Sequence, residues 1–288
     1  MNKVIKGALL AVGLVSTVVR ADTSTITAAP AAATMGGSSS TTVAPSLLDH
    51  FTSSYVGIYT GGSLSKPGQS FSPDTDGNPD PTMPQQMENL LGVFYKLSPT
   101  AKVGAQAHFF YSPVDNKNIT MMDPLLQIND SALIVSGNFK LGGYTRAYLP
   151  ATAESTDKGR ILQMRFFLNP NYDVPGTRIS LGAYSYAQPA AFKSSGTGTT
   201  FLGYLGPYVN YQLTPTVAIS ALYEMAASHK KNKDGFTDLD NAGTDFEPGV
   251  SWDITPNLTL NPYLNIYTGN RITSDNTSIN LLIIGKLL

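Results

Sequence analysis

A chain of 288 residues with 19 Lys and Arg against 20 Asp and Glu has room for one large domain, and it carries no charge footprint for nucleic acid. It contains no cysteine, which excludes disulfides and thiolate metal sites. Strongly helical segments are missing, while Gly, Tyr, Thr, Ser and Asn are plentiful, so the composition points to an all-β chain.

Residues 1–21 read as a secretory signal. Lys3 and Lys6 form a basic start, Gly7 to Val19 an apolar core, and Val19-Arg20-Ala21 a small-residue cleavage site. The apolar run is short for a transmembrane helix. Losing Lys3, Lys6 and Arg20 leaves 16 basic against 20 acidic side chains, a mature net charge of −4. Residues 22–50 are rich in Thr, Ser, Ala and Pro with few large apolar groups. Such a segment buries too little surface to offset its ordering entropy and reads as a flexible extension.

From Phe51 to the C-terminus the pattern alternates with period two. Twelve strands are expected near 52–62, 88–97, 101–112, 131–140, 143–150, 160–168, 177–188, 199–213, 216–228, 245–254, 257–268 and 277–288. Three hairpins share one signature. Tyr95-Lys96-Leu97-Ser98-Pro99, Tyr211-Gln212-Leu213-Thr214-Pro215 and Trp252-Asp253-Ile254-Thr255-Pro256 each place an aromatic two residues before an aliphatic, then Ser or Thr and Pro. Proline suits a turn that needs no ladder donor there. Short turns are expected at Ser98-Pro99-Thr100, Leu141-Gly142-Gly143, Asn169 to Gly176, Thr214-Pro215 and Thr255-Pro256. Long polar loops, such as 63–87, 113–130 and 229–244, alternate with them. An up-and-down barrel with one short-turn end is written in this way.

Each strand has one apolar face. Val93, Tyr95, Leu97 and Val103 share a face, as do Val209, Tyr211, Val217 and Ile219, and Val250, Trp252, Ile254 and Leu258. A soluble barrel would turn these inward, and periodicity alone does not decide between the two. The export signal, the loop asymmetry and the strand lengths near ten residues favour lipid outside. Tyr95, Tyr211 and Trp252 would then form an aromatic girdle one pleat above the turns.

The signal, the alternating strands, the Ser/Thr-Pro turns and the strand ending the chain together resemble a Gram-negative outer-membrane β-barrel of the porin-like type. The resemblance covers residues 51–288. The last strand of such proteins usually ends in an aromatic that the assembly machinery reads; here it ends in Leu288, with Lys286 two residues before. The resemblance implies membrane lipid, small hydrophilic solutes and the barrel assembly machinery as partners. The expected fold is a transmembrane antiparallel barrel with periplasmic termini and turns and extracellular loops.

Channel-lining candidates on the polar face are Lys96, Lys102, His108, Arg146, Arg165, Arg178, Gln212, Glu224, Asp253 and Lys286, with Gln106 and Gln163 beside them. Basic groups outnumber acids in this set. It predicts passive diffusion of small hydrophilic solutes with a mild anion preference. The alternatives are a closed structural or adhesion barrel and a soluble secreted β-protein. No cofactor is called for. The histidines His50, His108 and His229 have no evident acid or nucleophile beside them, and paired acids find no clear counterpart, so the expectation is that the chain is not an enzyme. Asp74, Asp76 and Asp80 resemble the acid spacing of a calcium loop but lack its downstream Glu, and ordinary turn chemistry accounts for them as well.

Overall fold

The proline turns show how the sequence stops and restarts a strand. The residue before each proline turns its hydroxyl back onto the following amides. Ala101 N–H and Thr100 N–H donate to Ser98 Oγ at 2.9 and 3.2 Å. Val217 and Thr216 do the same to Thr214 Oγ1 at 3.0 and 3.3 Å, and Asn257 N–H donates to Thr255 Oγ1 at 3.2 Å. Pro supplies the bend and Ser or Thr serves the amides that leave the ladder.

The computed structural model describes residues 50–70, 85–114, 117–233, 240–268 and 272–287. The strands are β1 (Phe51–Ser63), β2 (Gln86–Lys96), β3 (Ala101–Tyr111), β4 (Ile119–Met121), β5 (Leu125–Ser136), β6 (Phe139–Tyr148), β7 (Arg160–Asp173), β8 (Ile179–Phe192), β9 (Thr199–Thr214), β10 (Val217–Lys230), β11 (Asp240–Thr255), β12 (Leu258–Tyr267) and β13 (Thr277–Lys286). One short helix, α1 (Ala153–Asp157), sits between β6 and β7. All pairings are antiparallel. β1 pairs with both β2 and β13, so the sheet closes on itself. β4 only extends the loop end of β3, which leaves a closed barrel of twelve strands. Eleven residues in β2 or β3, at about 3.3 Å each and tilted about 40°, cross roughly the 25 Å of an outer-membrane apolar band.

Two expected turns move. The strand expected at 131–140 begins earlier, at Leu125, and the chain turns at Gly137-Asn138, where Gly137 takes φ 56°. Gly142 and Gly143 lie inside β6. A Cβ on Gly143 would stand 2.5 Å from the Phe167 carbonyl oxygen, so that glycine answers close strand packing, not a turn. β7 likewise runs on to Asp173 and reverses past Pro175-Gly176, with Gly176 at φ 71°. The first 49 residues, with the expected signal and nearly all of the extension, lie outside the described residues, as do Asp74, Asp76 and Asp80.

Polarity decides which side meets lipid. Leu91, Val93, Leu126, Ile128, Phe166, Leu168, Val209, Ile219, Tyr223 and Val250 are exposed on the outside of the wall. Gln106, Gln127, Arg146, Arg165, Asn169, Glu224, Glu247, Asn261 and Asn280 are buried. A protein in water does not expose one continuous apolar belt and bury its charges; a barrel in a bilayer does. Tyr95, Tyr211 and Trp252 lie on this outer surface near the short turns, with Trp252 51% exposed.

Candidate functional site: two charged walls inside the barrel

β6 and β7 place two arginines side by side, since Arg146 and Arg165 are direct register partners. Among the described residues neither forms an ion pair with a carboxylate. Arg146 Nε donates to Gln127 Oε1 at 2.5 Å, and its guanidinium lies 4.5 Å from the centre of the Tyr144 ring. Arg165 Nε donates to Gln188 Oε1 at 2.6 Å, and its guanidinium lies 4.4 Å from the Tyr186 ring and 5.7 Å from Tyr148. A guanidinium is weakly hydrated and flat, so aromatic faces can replace part of its water.

The opposite wall is acidic. Glu224 on β10 is 1% exposed and faces Asp245 on β11 as its register partner, while Glu247 pairs with Leu222. Carboxylate oxygens of Glu224, Asp245 and Glu247 all lie within 4.8 Å of one another. Tyr204 donates its hydroxyl to Glu224 Oε1. Asn265 on β12 donates Nδ2 to Asp245 Oδ2 at 2.8 Å and to Glu247 Oε1 at 3.1 Å.

Aromatic side chains fill the space between the walls. Tyr186 and Tyr204 stack at 4.9 Å, linking Arg165 to Glu224. Tyr144, Phe167, Tyr184 and Tyr208 stack in series at 4.5, 6.1 and 4.6 Å. A second cluster, of Val56, Ile58, Leu90, Leu125, Tyr148, Leu282 and Ile284, packs β1, β2 and β13 against Tyr148 of β6, across the lumen. Among the described residues a cavity of about 100 Å³ lies near the short-turn end, and its lining includes Ser53, Phe94, Lys102, Gln106, Gln127 and Lys286.

Of the expected lining residues, Arg146, Arg165 and Glu224 are buried in this interior, and His108 meets Glu88 at 2.6 Å. Lys102 lies over Phe94 at 5.2 Å, and Asp253 accepts from Thr259 Oγ1 at 2.6 Å. Lys96, Arg178 and Gln212 are exposed at the short-turn rim, where the inward face of a strand has already left the barrel. Arg178 there donates to the Leu213 carbonyl at 3.0 Å. The acids Glu88, Asp245 and Glu247 were missed. Asp245 and Glu247 stand two residues apart on one strand face, a spacing that alone would have placed them together. With Glu224 they outnumber Arg146 and Arg165 among the buried charges of the strands. Among the fully buried charges of the strands, acids therefore prevail over bases.

A closed antiparallel barrel, apolar outside and polar within, spanning an outer membrane with twelve strands, defines the class: this is an outer-membrane β-barrel protein. No family model and no curated protein matches the chain. Among solved structures, one similar chain is a loop L8 deletion mutant of OmpT, an outer membrane protein of Vibrio cholerae. Identity is 8%, TM-score 0.39, with 82% of this chain and 98% of that chain covered. The in-vitro folded OmpT, in trimer form, gives 7%, 0.36 and the same coverage. At these scores the class rests on the barrel's own closure and polarity. The expectation that the chain is not an enzyme is corrected. It relied on finding no paired acids and no acid beside a histidine, and the interior holds both, in Glu224 with Asp245 and Glu247 and in Glu88 with His108.

Proposed function

We propose that the protein is an outer-membrane barrel with a closed lumen, serving as a structural or adhesion element of the cell surface. The packed waist supports this reading: among the described residues the aromatic series, the Arg–Tyr–Tyr–Glu link and the cluster reaching Tyr148 occupy the space between the walls. Export by residues 1–21, insertion by the assembly machinery and a lipid-interface girdle of Tyr95, Tyr211 and Trp252 belong to the same reading. Liposomes containing the refolded protein are expected not to swell in any monosaccharide. Swelling in a pentose would overturn the proposal.

One observation favours a narrower kind of diffusion channel. Gln106 Oε1, Arg146 Nη2, Asn261 Oδ1 and Glu88 Oε2 are buried without a hydrogen-bond partner, so the packed interior is still polar enough to wet. Such a path would pass small ions, and four buried acids, Glu88 included, against two arginines favour cations. Planar-bilayer recordings separate the readings, since a sealed barrel gives no unitary steps.

A further inference from the structure

We propose that Glu224, Asp245, Glu247 and Asn265 form a binding site for one divalent cation of the calcium type inside the barrel. The inference concerns the interior of one wall and holds whether or not the lumen passes ions.

Three carboxylates within 4.8 Å of each other are a concentration of like charge that a low-dielectric interior penalises steeply. Among the described residues, Glu224 and Asp245 form no ion pair with Lys, Arg or His. The contrast with Asp123 is direct, because that buried acid has Arg160 Nη1 at 3.1 Å.

Two further atoms show that the neutral donors do not complete the set. Glu224 Oε2 is buried and has no hydrogen-bond partner, although Oε1 of the same carboxylate is served by Tyr204. Asn265 is more than nine-tenths buried, and its Oδ1 is also without a partner while its Nδ2 bridges two of the acids. Turning that amide over would bring a neutral carbonyl oxygen onto the same centre. Oxygen donors of this kind select hard cations. Calcium accepts them at about 2.3–2.6 Å, so two ligand oxygens on opposite sides of it stand about 4.8 Å apart. The three acids, all within 4.8 Å of one another, lie inside that span.

The ligands come from three successive strands, β10, β11 and β12. A bound cation would tie the ladder here in place of side-chain repulsion. Arg146 and Arg165 remain on the far wall behind Tyr186 and Tyr204, where they leave the centre open to a cation.

The full-length chain is refolded into detergent with terbium or calcium present, so that binding does not depend on ions entering the folded barrel. Tyr204 lies on a ligand and should sensitise terbium luminescence. The expected result is one ion per chain, displaced by calcium. A Glu224→Gln, Asp245→Asn double variant, checked for folding by heat-dependent gel mobility, should bind at least about tenfold more weakly. A second variant, Asp74→Asn with Asp76→Asn and Asp80→Asn, should keep the signal. Loss of binding in the loop variant, unchanged binding in the folded lumen variant, or no binding by the wild type at millimolar calcium would each overturn the assignment. None of these outcomes depends on solute passage, so a failure here is distinct from a failure in liposome swelling.

Discussion

The two charged walls handle the same difficulty in different ways. On β6 and β7, each arginine is received by a glutamine oxygen and by an aromatic face. On β10 to β12, three carboxylates share a tyrosine hydroxyl and one asparagine amide. A buried cation can be accommodated by neutral π-faces because the ring quadrupole presents negative charge. No comparable side-chain surface receives a buried anion, which needs hydrogen-bond donors or a counter-charge. The arginines are therefore received by neutral oxygens and rings of the chain itself, whereas Glu224 and Asp245 have no ion-pair partner among the described residues. On the proposed cation site, an ion would supply the second wall with the counter-charge that the first does not need.

Removing a charge should then have opposite signs on the two walls. Arg165→Leu leaves Gln188 Oε1 without its donor and strips the faces of Tyr186 and Tyr148. We expect it to lower the unfolding free energy by about 3 kcal/mol in urea titrations of the barrel in lipid. Lys at this position should recover only part, lacking the planar fork. Glu224→Gln keeps an acceptor for Tyr204 and relieves one of the three like charges. In chelator it should raise the unfolding free energy, by roughly 1 kcal/mol. A loss on both walls would mean that the acids are already balanced and that the contrast is mistaken.

The barrel was legible because its signal repeats. Tyr95, Tyr211 and Trp252 fix the same register in three hairpins, and one residue of slip would have turned every apolar side chain inward. The hydroxyl before each proline was also present to be read, as the hydrogen bonds from Ala101 and Val217 show. The turns that moved lacked that signature. Gly142-Gly143 looks like a turn to any local rule, yet the crowding comes from Phe167 on a neighbouring strand. The site was half legible for the same reason. Alternation put Arg146, Arg165 and Glu224 on the polar face, but it could not count which acids gather. Glu224 meets Asp245 only through the β10–β11 register, which the alternation of either strand does not give, although Asp245 and Glu247 both fall inside the strand expected at 245–254. Nor does alternation reveal that a lumen is filled. Tyr186 and Tyr204 sit on polar faces as aromatics, and their stacking in the interior is seen only in the folded barrel.

Another buried acid, outside the membrane-spanning strands, tests how far hydrogen-bond donors settle a carboxylate. Asp123 precedes β5 at the loop end. Its Oδ1 accepts from Ala151 N–H and Thr152 N–H, both at 3.1 Å, and from Thr152 Oγ1 at 2.9 Å. Its Oδ2 takes Ser155 Oγ and Arg160 Nη1. Thr152 also caps α1, so this one side chain pins the whole 149–159 connection. Burial by itself would raise the carboxyl's pKa. The hydrogen bonds from Ser155, Thr152 and Ala151 together outweigh it and hold the group below its ordinary value. The folded pKa then lies under the unfolded one. The contribution to stability is present above about pH 4 and is lost as pH falls through the lower, folded value. Pepsin cleavage within 149–159, normalised to an unstructured peptide, should therefore rise as the medium is acidified below that point. Asp123→Asn should be cleaved more readily throughout and show little of the rise, because its amide has no proton to gain there. This is the smallest of the effects, confined to one loop. A wild-type profile as flat as the variant's would show that five donors hold Asp123 no better than Asn265 and Tyr204 hold the acid wall.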